Sequence, residues 1–278
     1  MNPEENKTDW FGLILRVGLF VLIGWLGLNV FATALFWLTG SPLITGALAT
    51  FAAAALANSI TVRVYERGKM SALGLAWSPT SRREFLLGTV SGAVAVCAVL
   101  AVPIASGAAS FEKAPAAEHV VPGLAFVSLV LLFGAFGEEL LFHGYAFQLL
   151  IRRVGAFATI LPAAVLFGLA HTGNANWNWL GIGNTMLWGV LFGYAYLRTN
   201  ALWLPIGLHF GWNVTLPLFG ENLSGFTMGV AGYTLHWKTS DLLSGGAYGP
   251  EGSLLTTAAV VALFFVLHKF TTQPETDE

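Results

Sequence analysis

The sequence predicts an all-α, polytopic membrane protein of about eight transmembrane helices. Hydrophobic residues make up 55% of the 278 and charged residues only 10%. Mean hydropathy is +0.69, and the apolar residues fall in long runs. Crossing hydrocarbon about 30 Å thick takes roughly 20 residues at about 1.5 Å of rise each. No water reaches a bare backbone there, so a helix is the element that suits such runs. Composition excludes a soluble domain. The single cysteine, Cys97, excludes a disulfide framework or a cysteine-held metal and reads as a packing residue.

In chain order the runs are 17–38, 43–62, 85–104, 120–151, 156–170, 180–197, 201–218 and 253–267. The first lacks a cleavage pattern and reads as a retained span. The fifth and eighth are short, and need tilt, shielding by neighbours or extension at their ends. Basic residues set the orientation. Arg63, Arg67, Lys69, Arg82 and Arg83 follow the second run, Arg152 and Arg153 the fourth, Arg198 the sixth and Lys269 the eighth, while the alternate connections carry only Lys113 and Lys238. Eight crossings with both termini cytoplasmic fit this pattern. The longest connection, 219–252, then lies on the opposite side and, being rich in glycine and aromatics, is expected to rest on the membrane. The tail at 275–278 reads as disordered. Gly189/Gly193 and Gly207/Gly211 give weak support for close packing of the sixth run on the seventh. Trp177, Trp179 and Trp203 suit interfacial anchors.

The fourth run carries Glu138, Glu139 and His143 inside an otherwise apolar stretch. An ionisable group in lipid costs about 2.5–3.5 kcal/mol on insertion scales, so each needs a partner, water or a task. Glu138 lies about 21 Å along the helix from Arg152, and His143 about 13 Å. His171 lies about 24 Å along the fifth run, with His209 and Asn213 about 16 and 22 Å along the seventh. Three helices therefore bring carboxylate, imidazole and amide to one band beyond mid-bilayer. Glu139 and His143 are four residues apart and can hydrogen-bond, whereas Glu138 is turned about 100° from Glu139. This set suits water activation: a buried carboxylate as base, a histidine sharing the water, and histidine with amide for an oxyanion. No serine or cysteine has a base beside it.

On these residues the chain resembles the intramembrane CAAX-protease and bacteriocin-processing family, also called Abi. Its motifs, Glu-Glu-x-x-x-Arg, Phe-x-x-x-His and His-x-x-x-Asn, are similar to Glu138–His143, Phe167–His171 and His209–Asn213. The resemblance covers about 120–218. It implies an intramembrane endopeptidase in which Glu138 is the base, His171 its partner on the water, and His209 and Asn213 stabilise the oxyanion. It implies substrates that are peptides or proteins, prenylated or otherwise membrane-associated at the C-terminus, within the lipid bilayer and without nucleic acid. No cofactor is expected, though zinc on Glu138, His171 and His209 stays open, because two histidines and a glutamate suit a zinc ion with a free position. One residue departs from the family: His143 stands where arginine is usual. Arginine would clamp a carboxylate with a permanent charge, whereas histidine is charged only part of the time. His143 is therefore expected to orient Glu139.

Three segments follow: N-terminal helices at 1–119, a catalytic core at 120–218, and a loop, last helix and tail at 219–278. The site is expected to be water-filled and accessible from the cytoplasm, in a bacterial or archaeal plasma membrane. Two other readings stay open. One is a binding or immunity protein of the same fold without proteolysis; the other is an ion-coupled transporter, since buried acids and histidines also relay protons.

Overall fold

The computed structural model describes residues 9–114 and 120–270, so His119 and the acidic tail at 275–278 lie outside the described residues. Each apolar run becomes a helix that local chemistry starts and stops. Helix α1 (Trp10–Thr39) opens where the Asp9 carboxylate accepts the Gly12 N–H and closes at Gly40, whose φ of 63° ends the turn. Helix α2 (Pro42–Thr61) starts on a Ser41 cap with proline in its first turn. It runs on through a π-turn, Val62–Glu66. Helix α3 (Pro79–Ala105) repeats the Ser-Pro start at Ser78. Helices α4 (Val120–His143), α5 (Tyr145–Val154), α6 (Ala156–Ala170), α7 (Trp179–Thr199) and α8 (Trp203–Leu218) follow, then the short α9 (Asp241–Ser244) and α10 (Leu254–Phe270).

Five of the described helices are long and apolar enough by themselves to cross a membrane: Trp10–Thr39, Pro42–Glu66, Pro79–Ala105, Pro122–Val154 and Ala156–Gly173. The runs at 201–218 and 253–267 form helices of 16 and 17 residues. The outer surface is apolar, with Leu22, Trp25, Leu86, Val90, Val94 and Phe265 each at least half exposed. Faces of this kind are what lipid covers and water does not tolerate. The protein is therefore a mostly helical, multi-pass membrane protein.

The expectation of one helix over 120–151 needs correction. The run breaks at Gly144, where a Cβ would collide with the Leu140 carbonyl and the Asn58 side chain. Asn58, wholly buried in α2, holds the break open: its amide donates to Leu140 O and Ala54 O at 2.8 Å, and its Oδ1 accepts the Tyr145 N–H at 2.7 Å. One side chain thus satisfies backbone groups that the break would leave bare in an apolar interior.

The glycine pairs also find other partners than expected. Gly207 and Gly211 of α8 sit directly on the backbone of Phe85 and Thr89 in α3, and Gly88 and Gly92 answer them from α3 against Leu204 to Trp212. Gly189 of α7 lies on Ala164 and Gly193 near Ile160, so α7 packs on α6. Gly137, the residue before the glutamate pair, meets the Phe51 backbone of α2. Small residues let these backbones approach more closely than any side chain would allow.

All-α is also not the whole description. Strands β1 (Ala109–Lys113) and β2 (Tyr233–Trp237) pair antiparallel, with Ala109 opposite Trp237 and Lys113 opposite Tyr233. Two connections at the same end of the bundle satisfy each other's backbone groups in this way. The connection at 219–252 is itself folded. Gly225 N–H bonds to Tyr248 O, and Leu223 pairs with Phe226, folding the segment over the end of the bundle.

Candidate active site

Helix α4 carries both glutamates, and their turn about the helix axis gives them different surroundings. Glu139 is completely buried. Its Oε2 lies 2.7 Å from His143 Nδ1, one turn on, and its Oε1 lies 2.9 Å from His209 Nδ1 of α8. Glu138 keeps 28% of its side chain exposed and reaches His171 Nε2 at 3.7 Å and His209 Nε2 at 3.8 Å. Its Oε2 is buried and has no hydrogen-bond partner in the protein. His209 therefore touches both carboxylates, one with each ring nitrogen, a contact the sequence reading did not anticipate.

The ring tautomers follow from these partners. His171 Nδ1 is 2.8 Å from Phe167 O. A carbonyl only accepts, so Nδ1 holds the proton and Nε2 of the neutral ring presents a lone pair to Glu138. His209 Nδ1 likewise donates to the Glu139 carboxylate. Aromatic packing fixes the planes: Phe192 stacks on His209 at 4.9 Å and 12°, and Phe167 sets its edge against His171 at 4.9 Å and against His209 at 6.0 Å. Phe167 thus steers two imidazoles with its ring and one with its carbonyl as well. His143 is closed off, 1% exposed, with Phe147 edge-on at 4.8 Å.

These groups border a cavity of about 390 Å³ whose lining includes Glu138, His171, His209 and Asn213. Among the described residues the Asn213 amide has no hydrogen-bond partner in the protein. Its lining includes the apolar Leu28, Leu43, Ala47, Leu131 and Phe142, and also Asn174, Leu223, Ser224, Glu251 and Pro42. All of these last residues belong to connections poor in lysine and arginine. The cavity thus borders the end of the bundle away from Arg63, Arg67, Arg152 and Arg198.

The donor set of Glu138, His171 and His209 has the chemistry of a zinc site. Zinc bonds of about 2.0–2.1 Å set tetrahedral donors about 3.3 Å apart, closer than the 3.7 and 3.8 Å separations found. Among the described residues no group of three or more His, Cys, Asp or Glu side chains is arranged to hold a metal ion. A water making hydrogen bonds of about 2.8 Å reaches across gaps of this size.

Two residues escaped the sequence reading. Asn58 had a signal, as a lone amide in an alanine-rich run. Glu251 had none, being one acid among the glycines and prolines of a loop. Its Oε1 accepts the Trp212 indole N–H at 3.0 Å, and its Oε2 accepts the Ser224 N–H at 2.5 Å and hydroxyl at 2.7 Å. Buried Asn184 of α7 anchors the same turn by donating to Glu251 O and Ser253 O.

Residues 120–215 match the family model described as type II CAAX prenyl endopeptidase Rce1-like. No curated protein matches the chain. The matched stretch contains Glu138, Glu139, His143, His171 and His209, together with Asn213. It follows that the segment 120–215, with the clustered glutamates and histidines it folds together, belongs to the Rce1-like CAAX prenyl endopeptidases, a peptidase family.

Proposed function

We propose that the protein is an intramembrane endopeptidase in which Glu138 activates a water held between His171 and His209. One observation carries this reading: the unpartnered Oε2 of Glu138 faces two Nε2 lone pairs across 3.7 and 3.8 Å. Three acceptors turned on one another need a donor between them, and a water supplies two hydrogens. In the first step Glu138 takes a proton as the water oxygen bonds to the scissile carbonyl carbon. The Asn213 amide, free to donate into the cavity, steadies the oxyanion. In the second step the C–N bond breaks and Glu138 returns its proton to the leaving nitrogen, so base and acid are one residue. Glu139 is the orienting member, holding His209 by Nδ1 while His143 holds Glu139. No step requires a metal.

The same reading takes α7, α8 and α10 as further crossings, eight in all, with both termini cytoplasmic. Neighbouring helices shield the shorter ones. The segment at 120–218 acts as the catalytic core on a scaffold of N-terminal helices. The apolar part of the cavity lining receives the membrane-embedded or lipid-bearing part of a peptide substrate, and the polar part receives the scissile segment. A second reading, a binding or immunity protein without proteolysis, draws on His143 in place of the family's arginine.

Purified wild type and Glu138→Gln, with and without a chelator, separate these. Wild type is expected to cleave members of prenylated and unprenylated peptide libraries whether or not the chelator is present. Glu138→Gln should lower kcat by about 10³-fold or more, as loss of a base that acts in both steps implies. Equal behaviour of the two proteins would end the peptidase reading, and loss of activity with chelator alone would end the metal-free one.

A further inference from the structure

We infer that Glu251 is a specificity-determining residue that selects substrates carrying a cationic group, a lysine or arginine side chain, next to the bond that is cut. The inference rests on the peptidase reading and names the substrate class of the same cavity. The loop that bears Glu251 is built into the cavity wall, since Leu223, Ser224, Phe226 and Glu251 all line it beside His171 and Asn213. Trp212, which donates to Glu251, follows His209 by three residues on α8, and Glu251 lies within electrostatic reach of the His209 ring. Among the described residues the lining holds two carboxylates, Glu138 and Glu251, and no lysine or arginine.

A carboxylate that accepts three hydrogen bonds is held in one place. About four acceptor positions are available to it, so roughly one stays open to a ligand. Glu251 therefore presents a fixed carboxylate to a largely apolar chamber, where charges act more strongly than in water. A substrate carboxylate entering the chamber meets repulsion, whereas an ammonium or guanidinium finds its complement. Discrimination of this kind arises as much from rejecting the wrong charge as from binding the right one. Catalysis does not need Glu251, because Glu138 serves as both base and acid.

The test uses the full chain in lipid nanodiscs with Glu138→Gln as parent, so that peptides stay intact and binding is read apart from hydrolysis. Peptides carry lysine, norleucine or glutamate walked through each position around the bond cut by wild type, or through a fixed apolar peptide if wild type cuts none. At one position lysine should bind about tenfold tighter than norleucine, with glutamate weakest. Adding Glu251→Gln should bring the three affinities together. Adding Ser224→Ala, which loosens the loop but keeps the carboxylate, should leave the ratio in place. Absence of a lysine preference in the parent overturns the inference, and that arm needs no Glu251 variant to fold. Equal loss of the preference in Ser224→Ala also overturns it, because the effect would then belong to loop structure. Failure of hydrolysis with the charge preference intact would sink the peptidase reading and leave Glu251 as a selector of bound peptides.

Discussion

His143 presents the site's departure from its family in a single side chain. The ring sits 2.7 Å from Glu139 Oε2 and is enclosed by Phe147 and Phe192, so it holds the carboxylate that in turn holds His209. A hydrogen bond to a charged group contributes about 1.5–3 kcal/mol, and leaving the partner buried without it costs at least that much. His143→Ala is expected to lower thermal stability by an amount of that order and to reduce kcat by misplacing His209, measured by denaturation in detergent and by peptide turnover. His143→Arg replaces the imidazole with a permanently charged guanidinium. Its pH–activity profile should extend further to the alkaline side than that of wild type. An unchanged profile, with His143→Ala fully active, would remove His143 from the orienting chain.

At the scale of elements, the break between α4 and α5 decides where the reacting groups point. At Gly144 any side chain would collide with Leu140 O and Asn58. Asn58 binds both edges of the break, at Leu140 O and Tyr145 N, one residue beyond Glu139 and two beyond His143. Below the break, Tyr145 donates its hydroxyl to Glu66, which also pairs with Arg16 at 3.1 Å, tying α5 to α1 and α2. Asn58→Ala leaves buried groups without partners at about 1–3 kcal/mol each. A fall in stability of that order is expected, with kcat reduced more than KM, because the glutamate turn is loosened while the cavity wall is kept. Asn58→Asp keeps the acceptor for Tyr145 and loses the donors to α4, so its loss should be intermediate if the bridge is what matters.

Across the whole molecule, the connection at 219–252 couples the bundle's end to pH. Glu221, just past α8, is buried and accepts the Trp237 indole N–H at 2.9 Å. Burial pushes its carboxyl up to about 7, against which the Trp237 bond pulls only partly. The folded chain therefore binds a proton here more tightly than the unfolded chain, whose value is 4.5. The contribution to stability is whole below pH 4.5 and is lost as pH climbs to about 7, since stability falls wherever the native state binds the extra proton. The loss is at most about 3 kcal/mol at 1.36 kcal/mol per pKa unit. Melting temperatures of full-length protein from pH 4.5 to 8 should fall across this window, and Glu221→Gln should flatten the slope. Because β2 and the cavity-lining turn share this loop, loosening above neutrality should also weaken peptide binding.

Long apolar runs and the placing of arginines made the helices and their order legible, because each depends on neighbours in the chain. The three motifs were legible for the same reason: residues four apart share a helix face. Which faces meet is a matter of contacts far apart in sequence, and there the reading stopped. Glycine spacing announced close approach without naming the partner, so α3 under α8 and α6 under α7 emerged only from packing. The amide of Asn58 and the carboxylate of Glu251 act 82 and 39 residues away from the groups they hold, distances at which no local pattern reports. The sequence by itself determined that acids and imidazoles lie together in lipid. Only the tertiary structure decided that Glu138 faces the cavity while Glu139 is locked behind it, because burial is assigned by the helices that happen to cover each side.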